Sequence, residues 1–229
     1  MTAAPAPLPP LQVRESARAR RVSLRVSATA GLEIVVPRGF AHAHIPAIVA
    51  RHRAWIDAQW ARLVALDRTL PARLELPATG EGWELLRRDG PQPRLRRQAD
   101  ALVIAGASDA EARVLLRRFL MAHARLRLGE CLDAVATATG LRYTRLSIRA
   151  QRARWGSCSA RGAISLNVKL LFLEPALLRH VLVHELCHTV HLDHSPAFWA
   201  LVARHDPDWS TRRAQLRAIA ARLPPWLDV

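Results

Sequence analysis

The stretch Leu177-Leu178-Arg179-His180-Val181-Leu182-Val183-His184-Glu185-Leu186-Cys187-His188, with His191 and His194 after it, decides how this chain is read. It holds no Gly or Pro and is largely apolar, and Glu174-Pro175 ahead of it supplies a helix start, because the first turn needs no N–H from its proline. Residues four apart on a helix share one face, so His184 and His188 can close on a single ion. Glu185 then stands beside that ion, where a carboxylate can handle a proton. A third histidine completes three protein ligands and leaves a fourth position for water. That is the open arrangement of a catalytic zinc site, not the closed one of a structural site.

The third ligand has two candidates. A helix rises 1.5 Å per residue, so His180 and His188 stand about 12 Å apart and cannot meet at one ion. His191 is expected further along the same helix. His194 follows Leu192-Asp193, where the chain can leave the helix and fold back, and Ser195-Pro196 reads as an N-cap and first-turn proline of a new helix, Ala197 to Arg204. This turn favours His194 over His191; His180 and His191 are expected beside the site or exposed.

Four separated runs now line up: Arg154-Trp155-Gly156-Ser157-Cys158, Ile164-Ser165-Leu166-Asn167, Val183 to His188, and Asp193-His194-Ser195-Pro196-Ala197-Phe198-Trp199. In order and spacing they resemble the YgjP-like zinc metallopeptidases, bacterial relatives of the SprT, Spartan and WLM-type peptidases. The likeness extends to Arg20-Arg21-Val22-Ser23-Leu24-Arg25-Val26, to Val35-Val36-Pro37-Arg38-Gly39 and to Ala54-Trp55-Ile56, and covers roughly residues 11–222. It implies a zincin-like catalytic part with His184, His188 and His194 as zinc ligands and Glu185 as the catalytic glutamate. Trp209 stands where the family often carries Tyr, and the Arg- and Pro-rich region from Leu70 to Arg97 matches weakly.

Around the motif, local patterns give an α+β chain. Alternation within Leu11 to Val36, as in Val22 to Val26 and Leu32 to Val36, predicts antiparallel strands with a turn at Gly31, followed by a helix from Ala43 to Leu66. Short strands are expected at 73–76, 83–86, 94–96 and 101–104. A long helix opens at Ser108 and ends at Gly140. Strands at 145–149 and 163–167 should flank the Trp-Gly-Ser-Cys turn, and the last helix should run from Trp209 to Arg222. The domain reading is a flexible tail over 1–10, a strand-rich region with one helix over 11–106, and a catalytic domain over 107–229.

Half of the residues are hydrophobic, so the chain is globular rather than disordered. No apolar run reaches the roughly 18–20 residues of a membrane span, and the Ala/Pro-rich start lacks the pattern of a signal peptide. Cys131, Cys158 and Cys187 are odd in number and widely spaced, which points to a reducing cytoplasm. Core packing is the expected role of Cys187 and a buried inert thiol that of Cys158. The net charge of +15 would attract nucleic acid, but nearly all the basic residues are arginines scattered along the chain, and no nucleic-acid reader motif accompanies them.

The expected activity is zinc-dependent hydrolysis of peptide bonds through a zinc-bound water, with Glu185 as general base, as in an endopeptidase. A protein or peptide is the expected substrate. The strand at 163–167 is the candidate edge for an extended chain, with Asn167 and Trp155 as candidate substrate-binding residues. The alternative is a zinc-binding, nucleic-acid-associated adaptor, or a DNA–protein crosslink peptidase.

Overall fold

In Leu32-Glu33-Ile34-Val35-Val36 every second side chain points the same way, and Leu32, Ile34 and Val36 are fully buried. They belong to β3 (Gly31–Pro37), the central strand of a three-stranded sheet in the computed structural model, which describes residues 8–27, 31–65, 68–151, 154–219 and 223–227. β2 (Ser23–Ser27) pairs antiparallel with β3, while β1 (Leu11–Ser16) lies on its other side and runs parallel to it. The expectation of antiparallel pairing throughout therefore fails for β1. Two chain reversals separate β1 from β3, which restores the direction of travel. Most of the expected tail, residues 1–7, lies outside the described residues; Pro9 is buried, and the Pro10 carbonyl accepts from the Leu32 N–H at 2.7 Å. Gly31 is required there, because its φ is +70° and a Cβ would stand 2.1 Å from that carbonyl oxygen.

The helix expected over Ala43 to Leu66 is broken at His52 into α1 (Ile45–Arg51) and α2 (Arg53–Val64); Leu66 itself lies outside the described residues. Ile45, Val49 and Ile56 are buried in one cluster with Val26, Leu32, Ile34 and Val36. These elements form one compact unit within Met1–Arg68; a second spans Thr69–Asp228.

The second unit begins with a four-stranded sheet of β4 (Arg73–Leu76), β5 (Glu81–Arg88), β6 (Arg94–Arg97) and β7 (Ala101–Ala105) in the order β4-β5-β7-β6. The sequence grouped these strands with the N-terminal region up to 106. Their core side chains explain why the division falls earlier: Leu74, Leu76, Trp83 and Leu102 are buried in the same cluster as the helices that follow. The first of those is α3 (Asp109–Thr139), opened by a capping box between Ser108 and Glu111 and closed by Gly140 in the left-handed conformation.

The third sheet positions the site. β8 (Arg145–Arg149), β9 (Gly156–Cys158) and β10 (Ala163–Asn167) lie in the order β8-β10-β9. Gly156-Ser157-Cys158 thus forms a strand rather than a turn. β10 is the central strand, paired parallel with β8 and antiparallel with β9, so it is not the edge expected from the sequence; β9 is. α4 (Pro175–Cys187) packs against both α3 and β9 and buries Leu178, Val181, Leu182 and Leu186. α5 (Pro196–His205) and α6 (Trp209–Ile219) complete the unit; residues 220–222, the expected end of the last helix, lie outside the described residues. The architecture is α+β, and no described helix is long and apolar enough to cross a membrane.

Candidate active site

α4 ends at Cys187, one residue before the second histidine of the motif, and His188 is its C-cap. His191 therefore does not continue the helix; its carbonyl accepts from the His188 Nδ1–H at 2.9 Å. That bond fixes the tautomer and leaves the Nε2 lone pair free to bind an ion. Asp193 Oδ1 accepts from the Ser195 N–H, and Ser195 Oγ caps α5 by accepting from the Phe198 N–H. This pair of turns swings His194 back over the end of α4.

His184, His188 and His194 are thereby brought together, with His184 Nε2 at 3.2 Å from His188 Nε2 and 3.3 Å from His194 Nε2. One ligand atom from each of the three lies within 4.8 Å of the other two. Two nitrogens each 2.0–2.1 Å from a tetrahedral ion would stand about 3.3–3.4 Å apart, so the spacing fits a metal ion. The charge state fits as well. Burial first, then the neighbouring imidazoles and Arg213, hold His184 down to about 3, and burial likewise lowers His188, so both present lone pairs. Phe198, fully buried, packs against all three rings at 4.4–5.0 Å between centroids and limits their rotation.

Glu185 is 5 % exposed, and burial pushes its carboxyl up to about 8. Its Oε2 is buried and has no hydrogen-bond partner among the described residues. Gly156 of β9 lies directly against the carboxyl group: a Cβ there would stand 2.6 Å from Oε1 and 2.8 Å from both Cδ and Cγ. Glycine at 156 is therefore a space requirement of Glu185. The carboxyl group, His184 and His180 open onto a cleft of about 470 Å³, whose wall also includes Trp155, Val181 and Leu216.

The sequence model of the YgjP-like metallopeptidase domain matches residues 20–219. The chain belongs to the YgjP-like metallopeptidase family. Among solved structures, the metallopeptidase zymogen abylysin of Pyrococcus abyssi matches with 23 % identity and a TM-score of 0.36, covering 41 % of this chain and 93 % of its own. No curated protein sequence matches significantly.

In this YgjP-like peptidase the remaining sequence candidates fall into two groups. Trp155 lines the cleft. Asn167 does not face it: its amide donates to the carbonyls of Gln151 and Arg154 at 2.8 and 2.7 Å, and its Oδ1 accepts from the Lys169 N–H. With every polar atom of its amide engaged within the chain, Asn167 pins the segment that carries Trp155. Cys187 is buried, with its thiol pushed up to about 12, and burial followed by the Glu185 charge raises Cys158, so both thiols are protonated.

Around the cleft the structure adds partners that the sequence did not join. Of the two places expected for His180, the structure gives the one beside the site: it is buried, and its Nδ1–H donates to Asp206 at 2.6 Å; burial foremost, then Arg212 and Arg213, lowers it to about 4. Asp206, fully buried, also accepts from Arg212. Trp209, in the place of the usual Tyr, stacks on Trp199 at 4.4 Å. Arg154, Arg213 and Arg217 line the cleft. α6 was expected from Trp209 onward, but its cleft face was not, although Trp209, Arg213, Leu216 and Arg217 recur at helical spacing.

Proposed function

We propose that this metallopeptidase is a zinc-dependent endopeptidase in which His184, His188 and His194 hold the ion and Glu185 is the general base. The observation that carries the reading is the convergence of three imidazole Nε2 atoms beside a buried carboxylate with one unpartnered oxygen. Zinc, when bound, supplies a Lewis acid that polarises the scissile carbonyl and makes water a better nucleophile near neutral pH. Glu185 supplies the proton traffic. Its Oε2 has no partner among the described residues, and once the charge of a bound cation offsets the burial that raises its carboxyl, it can take the proton of the attacking water. As the C–N bond breaks, the same carboxyl group returns that proton to the departing amine. Phe198 keeps the imidazoles in place through the cycle, and Gly156 keeps space for the carboxylate.

The substrate is a protein or peptide lying along β9, the edge strand that passes under Glu185. Three free cysteines, two partly buried and one buried, support a cytoplasmic location. An intact, buried Glu185 argues against an adaptor without chemistry. Metal analysis and peptide hydrolysis, on wild type and on Glu185→Gln, test the reading. The expected result is about one zinc per chain in both and hydrolysis in wild type alone. Undiminished hydrolysis by a zinc-loaded Gln variant would remove Glu185 as the base.

A further inference from the structure

The cleft beside Glu185 carries a charge pattern that the hydrolytic step does not use. Arg154 enters its wall from the segment before β9, and Arg213 and Arg217 enter from α6, where a spacing of four residues puts them on one face. Leu216, on the same face, is buried. The fourth arginine of this region, Arg212, has acidic partners, since Asp206 and Asp208 both accept from it. No such partner meets Arg154, Arg213 or Arg217 among the described residues. Apart from Glu185, no acidic side chain among the described residues lines the cleft.

Two of these positions are fixed from behind. The Arg213 guanidinium lies 4.8 Å over the Trp199 ring, which is backed by Trp209. The Arg154 carbonyl accepts from the buried Asn167 amide. The same cleft is lined by the apolar side chains of Trp155, Val181 and Leu216. A planar guanidinium recognises a carboxylate through paired N–H donors, and it does so best against a wall that excludes water.

We propose that the cleft selects peptides bearing a carboxylate, an Asp or Glu side chain or a free C-terminus, which Arg154, Arg213 and Arg217 bind beside the scissile bond. The inference rests on the peptidase reading and narrows its substrate class. Peptide is favoured over nucleic acid because these three arginines converge on a concave pocket of about 470 Å³ with an apolar wall. A nucleic-acid backbone calls instead for a charged track that follows successive phosphates.

The test uses matched fluorescent peptides with Glu, Gln or Lys at each position around one cleavage site, C-terminally amidated or free. Cleavage by the zinc-loaded enzyme is measured together with binding to Glu185→Gln, so that recognition is read without turnover. The expected result is a preference of about tenfold or more for the Glu peptide over its Gln counterpart, weakening between low and high salt as exposed charges are screened. In Arg213→Gln and Arg217→Gln the ratio between the two peptides should fall toward one. In Arg217→Glu it should swing toward the Lys peptide. If the amidated Glu peptide shows no preference but the free C-terminus does, the carboxylate recognised is the terminal one. Equal cleavage of all peptides, with ratios unmoved by the arginine variants, would overturn the inference and leave the peptidase reading standing. Selective binding to Glu185→Gln without cleavage by wild type would do the reverse. A single-stranded oligonucleotide that displaces the Glu peptide at about 150 mM salt and binds more tightly would reassign the arginines to phosphate.

Discussion

His123 and His188 are both buried histidines of the second unit, but their surroundings complete them in different ways. His123 stacks on Phe119 and meets Glu81 at 2.8 Å, and the same carboxylate oxygen accepts from Arg127 at 3.1 Å. There His123 Nε2, the Arg127 guanidinium and the Glu81 carboxylate all find partners within the chain. His188 is half-completed: Nδ1 donates to the His191 carbonyl, while Nε2 faces the Nε2 of His184 with no donor supplied by the fold. Beside it, Glu185 Oε2 is buried and unpartnered. Buried polar groups are normally satisfied, so a cluster left open, next to a cleft, is built for something brought from outside. The paired cluster should therefore govern stability and the open one activity.

The contrast breaks most visibly at Glu185. Glu185→Gln should lower peptide hydrolysis by about 10²–10⁴-fold. It should not lower the melting temperature of the zinc-loaded protein, because the substitution removes a buried carboxyl group that lacks a partner. A variant that unfolds early while retaining activity would invert the two roles.

Gly156→Ala asks whether the open cluster depends on its geometry. The new Cβ would stand 2.6 Å from Oε1, so the carboxyl group must move, although no ligand has been changed. A displacement of this kind should reduce hydrolysis by about 10²-fold with zinc content held. Loss of zinc in step with activity would mean that the substitution acts on the metal instead.

His194→Ala should lower zinc content far more than His191→Ala, since His191 contributes a backbone carbonyl that alanine preserves. A metal at a hundred times its dissociation constant stabilises the folded chain by about 2.7 kcal/mol, so the melting temperature of His194→Ala should approach that of chelated wild type. Equal zinc in the two variants would sink the assignment of His194.

What could be read from the sequence follows the range of the interactions. α4, the long α3 and the three histidines were legible because helical periodicity, caps and i,i+4 spacing are local. Strand order was not, since pairing joins distant segments: β10 looked like an edge until β8 and β9 were found on either side of it, and β1 looked antiparallel until it was found beside β3. The same limit hid the His180–Asp206 bond, which spans 26 residues. Arg213 and Arg217 were hidden differently. With 34 Lys and Arg in the chain, charge alone does not tell which arginines share a cleft.

The smallest effect belongs to the paired cluster and shows in its pH dependence. Burial works against the Glu81 carboxylate, but hydrogen bonds from Thr79, His123 and Arg127, together with the His123 charge, outweigh it and hold its pKa below the usual 4.5. The unfolded chain therefore takes up this proton first as pH falls. The contribution of Glu81 is fully present above about pH 4.5 and is lost as pH drops through the lowered folded value. Glu81→Ala should cost about 1–3 kcal/mol at neutral pH, because it strips the buried His123 of its partner. Glu81→Gln keeps a hydrogen-bonding group without the charge. Its stability should fall less steeply than that of wild type below pH 4.5 while peptide hydrolysis at neutral pH is retained. Parallel acid unfolding curves for wild type and Glu81→Gln would show that the cluster is held by packing on Trp83 and Phe119 rather than by its charge.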